Sequence, residues 1–114
     1  RDEWYEIPYR CLVPIGMKNL LVAGRCISAS RVASGAIRPT VQCMALGEAA
    51  GTAAALSLKN NVKVRDVDVA ELQRALVKNG VNIGQQFREI PALAGTNQTY
   101  VDKYDGGVSA MTNN

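Results

Sequence analysis

The stretch NLLVAGRCISASRVASGAIRPTVQCMALGEAAGTAAALSLK, residues 19–59, decides how the chain is read. Its first part, Leu20, Leu21, Val22 and Ala23, is continuously apolar and bounded by turn residues. A short apolar run of that kind predicts a strand buried on both faces, as in a parallel sheet. Gly24 at its end lets the backbone turn sharply or approach a ligand closely. Residues 25–38, RCISASRVASGAIR, are small, polar and glycine-containing, and predict a loop with room for a short helical turn. Pro39 and Thr40 predict a helix start, because Pro is tolerated in the first turn and Thr can cap. Residues 41–59 predict a long Ala-rich helix. Asn60 and Asn61 close it, since Asn readily adopts the left-handed cap conformation. Gly47 and Gly51 lie four apart in that helix, and Ala50/Ala54 and Ala49/Ala53 repeat the spacing to either side. The result is a smooth face suited to close packing against a sheet, a helix or a cofactor. Each interior glycine costs about 1 kcal/mol relative to Ala, so tight packing is expected to offset it.

Upstream, WYEIPYRCLV at residues 4–13 is rich in aromatic and β-forming residues and predicts an extended segment. Pro8 removes a ladder donor and belongs at an edge or a bend. PIGMK, residues 14–18, predicts a turn. Downstream, residues 62–67 form a short connector. Asp68 then predicts the cap of a second helix, with Glu71 three residues on completing a capping box. Val69, Leu72, Ala75 and Leu76 make its apolar stripe, and Asn79 and Gly80 close it. Val81 and Ile83 suggest a brief strand. From Pro91 to Asn114 there is little apolar periodicity, which predicts a tail that is loosely ordered or dependent on a partner.

Composition narrows the chemistry. A length of 114 residues allows one small domain, and 47 % hydrophobic residues argue against disorder along the whole chain. There is no His, which excludes a Ser-His-Asp triad, a His general base and a His-ligated metal. The net charge is +3, but the basic residues are dispersed rather than clustered with aromatics, so nucleic acid is not an expected partner. Cys11, Cys26 and Cys43 contain no CxxC pair, which leaves no support for a zinc or redox site and points to three buried thiols. No apolar run approaches ~18 residues, so no membrane span is expected. The chain begins at Arg1 rather than at Met, as expected of a fragment or a processed product.

The informative constellation is therefore a strand, Gly24, Arg25, a small-residue loop, Arg38-Pro39-Thr40 and a Gly/Ala-rich helix. It predicts a helix N-terminus at the carboxyl end of a buried strand, where ligands of open α/β sheets bind. Free N–H groups and the helix dipole there favour an electron-rich group, and Arg25 and Arg38 can add charge-assisted hydrogen bonds. A bland alternative is a small-residue helix that simply packs on a sheet. A small phosphate-binding protein using the Thr40 helix end is weaker, because no glycine-rich phosphate loop precedes the helix.

The strings YEIPYRCLVP, NLLVAGRCIS and CMALGEAAGTAAAL together resemble the C-terminal end of a family of FAD-dependent oxidoreductases. The likeness spans about residues 5–80. It implies an α/β fold class: a fragment of a FAD/NAD(P)-binding Rossmann-like domain with an edge β segment, a buried parallel strand, the long helix, a second short helix and an irregular tail. Residues 1–18 would lead in from a substrate domain, 19–80 would complete the flavin-binding domain, and 81–114 would form the tail. By the same resemblance, Gly24 lets the chain pass close to the cofactor. Arg25 lies near the ribityl chain or pyrophosphate, and Arg38 beside the isoalloxazine or the substrate. The N–H groups of Thr40, Val41 and Gln42 face the flavin N1–C2=O edge, where negative charge grows on reduction. Relatives of this kind are bacterial.

Two departures from the family pattern shape the expectation. Where members often carry His after the strand, this chain has Arg31 and Ser34, so no catalytic acid or base is assigned. The GxGxxG fingerprint that holds the ADP half of FAD is absent. The chain is thus expected to supply one wall of a FAD site, with FAD bound in the intact protein. Its expected partner is the N-terminal part of the flavin domain or another copy of the chain. The alternative is a non-catalytic structural or interaction module that keeps the fold without the chemistry.

Overall fold

A computed structural model of the chain describes residues 5–84 and 89–94. Trp4, the tail beyond Ala94 and the ends of the 1–18 and 81–114 divisions lie outside the described residues. Three α-helices form the body: α1, Arg31–Ile37; α2, Thr40–Lys59; and α3, Val69–Lys78. Four short 3-10 turns, Tyr9–Leu12, Gly24–Cys26, Val64–Asp66 and Pro91–Leu93, connect or flank them.

Among the described residues there is no strand and no sheet, which overturns the α/β, Rossmann-like expectation for this chain. The physical reason lies in what makes a strand. Residues 19–23 run extended, with Ala23 at φ −146° and ψ 156°, but among the described residues one backbone bond alone, Val22 N–H to Leu12 O at 2.9 Å, ties them to another segment. A ladder needs a row of such bonds. Leu20, expected to be sealed on both faces, is 43 % exposed. The predicted extension over 4–13 likewise gives way after Pro8 to the Tyr9–Leu12 turn, and Val81–Ile83 forms no strand.

The helices follow their local chemistry. α2 starts at Thr40, behind Pro39. It ends where Asn60 caps it and Asn61 takes φ +50°. Ser57 Oγ donates to Val62 O while Val62 N–H donates to Ser57 O, closing that end. Asp68 Oδ1 accepts from Ala70 N–H at 3.0 Å and caps α3. The second half of the expected capping box differs: Glu71 Oε2 accepts from Asn60 Nδ2 at 2.8 Å, joining the end of α2 to the start of α3. Gly80 at φ +85° lets the chain leave α3. α1 emerges from the stretch expected to be mostly loop. Ser30 Oγ accepts from Ala33 N–H, and buried Ile37 anchors the other end.

The core is the seam between α2 and α3. Leu46, Ala49, Ala53 and Leu56 pack with Leu72, Leu76 and Val77, and Ile27, Ile37, Ile83 and Ile90 close the edges. Ala53 is 0 % exposed, so the two helices meet where the side chains are smallest. Val69, assigned to the stripe of α3, instead sits at its exposed end. The opposite face of α2 is uncovered: Met44 is 70 % and Leu58 85 % exposed. Leu46→Ala should therefore cost about 2–5 kcal/mol, whereas Leu58→Ala should change stability by about 0.5 kcal/mol or less. Urea unfolding followed by circular dichroism checks both, and equal losses would contradict this placement of the core.

Candidate functional site

The site is built at the junction of three consecutive pieces: the Gly24–Cys26 turn, the end of α1 and the start of α2. Gly24 is buried and has φ +79°. A Cβ there would meet Cys43 Cβ at 3.7 Å, an ordinary contact. The demand for glycine is thus conformational rather than steric, since L side chains disfavour that φ. Arg25 follows on the surface, and its Nε donates to Arg38 O at 3.0 Å. That bond ties the turn to the α1–α2 junction. Cys43 Sγ also faces the junction, 3.4 Å from Ile37 O.

Arg38 continues the helical backbone of α1 by one residue, at φ −75° and ψ −29°. Pro39 then breaks it, and α2 begins. Thr40 sits inside the helix as its first residue and does not act as the cap; no side chain caps α2. The N–H groups of Thr40, Val41 and Gln42 lie ahead of the first helical bond, Cys43 N–H to Pro39 O at 3.1 Å. Unsatisfied donors and the positive end of the dipole therefore sit together, flanked by two exposed guanidinium groups. Of the predicted site residues, Gly24, Arg25, Arg38 and Thr40 come together here. Val41 and Gln42 are half-buried and present the site with backbone rather than side chain.

Gln42 has a second role that its sequence context did not signal. Its Nε2 donates to Tyr5 Oη at 2.9 Å, and Tyr5 O–H donates to Ala36 O at 2.7 Å. This chain holds the N-terminal segment against the α1–α2 junction, and it leaves Gln42 Oε1 buried without a partner. The segment roofs a cavity of about 430 Å³ over α2 and α3, lined mainly by apolar groups such as Ile7, Leu46, Leu72 and Leu76. Of the predicted site residues only Gln42 borders it. Tyr5 and Tyr9 are half-buried, as expected of packing aromatics; burial pushes the Tyr9 hydroxyl up from its ordinary value, and it donates to Val64 O.

The cysteines depart from the expectation of three buried thiols. Cys26 is exposed and its Sγ approaches Ala23 O, while Cys11 and Cys43 are half-buried; all three are free. Gly47 and Gly51 have no packing partner among the described residues. Both are exposed, and a Cβ at either would meet nothing within 4 Å. Among the described residues no group of three or more His, Cys, Asp or Glu side chains converges on a metal position, and no helix is long and apolar enough to cross a membrane.

Gly24→Ala should destabilise the chain by about 1–2 kcal/mol through its positive φ alone. Adding Cys43→Ala should not restore stability, because contact with Cys43 is not the cause. Thermal unfolding of the single and double variants checks this, and rescue by the second change would refute it.

Comparison with known proteins bears on what this junction serves. No curated protein and no solved structure matches the chain. The model of one family, FAD dependent oxidoreductase, matches residues 1–76, which takes in the junction, α1, α2 and most of α3. The chain belongs to the FAD dependent oxidoreductase family.

Proposed function

We propose that the chain is the C-terminal part of a FAD-dependent oxidoreductase and supplies one wall of its flavin site. The observation that carries this reading is the uncapped start of α2, held beside Arg25 and Arg38 by the Arg25 Nε to Arg38 O bond. Orphan N–H donors at a helix N-terminus suit an electron-rich edge, and the flavin N1–C2=O edge is one. Bound FAD would supply hydride or electron-pair exchange with a substrate carbon at N5.

The residues of this chain then have separable tasks. The N–H groups of Thr40, Val41 and Gln42 receive the charge-accumulating edge of the ring. Arg38 sets a fixed positive charge beside it, and Arg25 lies toward the ribityl and pyrophosphate side. Gly24 takes the positive φ that brings the chain round beneath the junction. The contribution of these groups is electrostatic and positional.

Two features support a site shared with other parts of a larger flavin domain. The chain has no GxGxxG sequence to hold the ADP half of FAD. The exposed face of α2, with Met44, Gly47, Gly51, Ala55 and Leu58, is mostly apolar and small, with Glu48 the one charged residue among them, a form suited to a helix covered on more than one side. Residues 1–18 would lead in from a substrate-binding part, and 81–114 would trail from the flavin part.

Titrating FAD into the isotope-labelled chain should move the amide resonances of Thr40, Val41 and Gln42 without tight quenching of flavin fluorescence. Unmoved amides would sink the flavin assignment, and tight stoichiometric quenching would sink the one-wall reading. The glycines give an independent check. Gly47→Ala and Gly51→Ala should each stabilise this chain by about 0.5–1 kcal/mol, because nothing here opposes the added methyl group. In a flavin domain that covers this face, the same changes should lower FAD affinity. Destabilisation of the chain by either would show that the glycines already pack within it.

A further inference from the structure

Between Glu6 and Glu48 the chain has no acidic residue, yet Arg10, Lys18, Arg25, Arg31 and Arg38 all fall in that span. The fold gathers three of them. Arg25 is bonded to the Arg38 carbonyl at 3.0 Å. Arg31 is the first residue of α1, and Arg38 follows its last with the backbone still helical. Seven positions in an α-helix are about two turns, which puts Arg31 and Arg38 on one face about 10 Å apart along the axis. Ser34 lies on that face between them, half-buried, while both arginines are exposed. Neither arginine has a carboxylate partner among the described residues.

The flavin reading above employs Arg25 and Arg38 and leaves Arg31 without a task. An arginine carries a planar fork of donors that matches a carboxylate in a bidentate pair, and a serine hydroxyl beside it can add a third bond. The α1 face leads directly into the α2 start, so an anion held there lies next to the proposed flavin position. Arg25, Arg31 and Arg38 lie in a stretch of sequence without Asp or Glu, and a local excess of positive charge favours an anionic molecule over a neutral one at encounter.

We infer that the substrate of the proposed flavin site carries a carboxylate, and that Arg31, assisted by the Ser34 hydroxyl, binds it. This rests on the flavin reading. Arg31 is a specificity-determining residue in it, with no part in proton or electron movement.

The test uses the isotope-labelled full chain at constant ionic strength, with succinate as the carboxylate probe, methyl phosphate as the competing oxyanion and FAD in parallel. Succinate should shift the Arg31 Nε–Hε and Ser34 amide signals saturably. Arg31→Gln should weaken that response at least tenfold, Arg31→Lys should retain part of it, and Lys18→Gln should leave it within twofold. Unchanged α2 resonances in the variants confirm that the fold is intact. Undiminished succinate binding by Arg31→Gln, or stronger binding of methyl phosphate than of succinate at Arg31, overturns the inference. A FAD response at Arg31 matching that at Thr40 also overturns it, because Arg31 would then belong to the cofactor site. A succinate response with no FAD response at Thr40–Gln42 sinks the flavin reading, and with it the assignment of the carboxylate to a substrate.

Discussion

Apart from Gln42, Glu48 and the terminal Lys59, helix α2 carries apolar or small residues on every side, and the described residues cover only part of it. One side, Leu46, Ala49, Ala53 and Leu56, meets α3 and makes the core. The other, from Met44 through Gly47, Gly51 and Ala55 to Leu58, faces water. The N-terminus between them is left uncapped beside two arginines. Fold, candidate site and exposed surface are thus three consequences of one helix. Shortening its side chains to Ala at the α3 seam allows close approach without large knobs. Shortening them to Gly on the far side has no benefit among the described residues, a cost that the proposed flavin-domain neighbour would offset.

The same imbalance explains which parts of the fold could be read from sequence. α2 and α3 carry their own start and stop signals: Pro39, the Asn60–Asn61 pair, Asp68 and the Asn79–Gly80 pair all act within a few residues of where they stand. The segment at 19–23 was legible as extended but not as a strand of this chain, because a strand is completed by a neighbour and its apolar pattern does not say where the neighbour is. α1 was obscured for the opposite reason. Its composition, RVASGAI, has low helix propensity. It is set by a serine cap at one end and by burial of Ile37 at the other, and that burial is a tertiary fact.

For the candidate site, sequence located the backbone better than the side chains. Gly24 has the positive φ its place after an apolar run suggested, and Arg25 and Arg38 are joined although thirteen positions separate them. Gln42 shows the limit. Its place in the first turn of α2 is visible in sequence, but its side chain turns to Tyr5, thirty-seven positions away, and fastens the N-terminal segment. A cross-chain hydrogen bond of that kind leaves no periodic trace. Cys26 is the converse case: a small thiol is most often buried, and this one is exposed because it ends a tight turn on the surface.

The charge pattern gives these parts a common direction. The acidic residues among the described positions lie at Glu6 and from Glu48 onward, and of the cations between them Arg25, Arg31 and Arg38 stand on or beside α1, which leads into the start of α2. A helix N-terminus and fixed guanidinium charges stabilise added negative charge by the same physics. In the proposed flavin domain this end of the molecule would be the wall that an electron-rich ring edge meets. A wall of that kind can ease the arrival of electrons or of an anionic molecule.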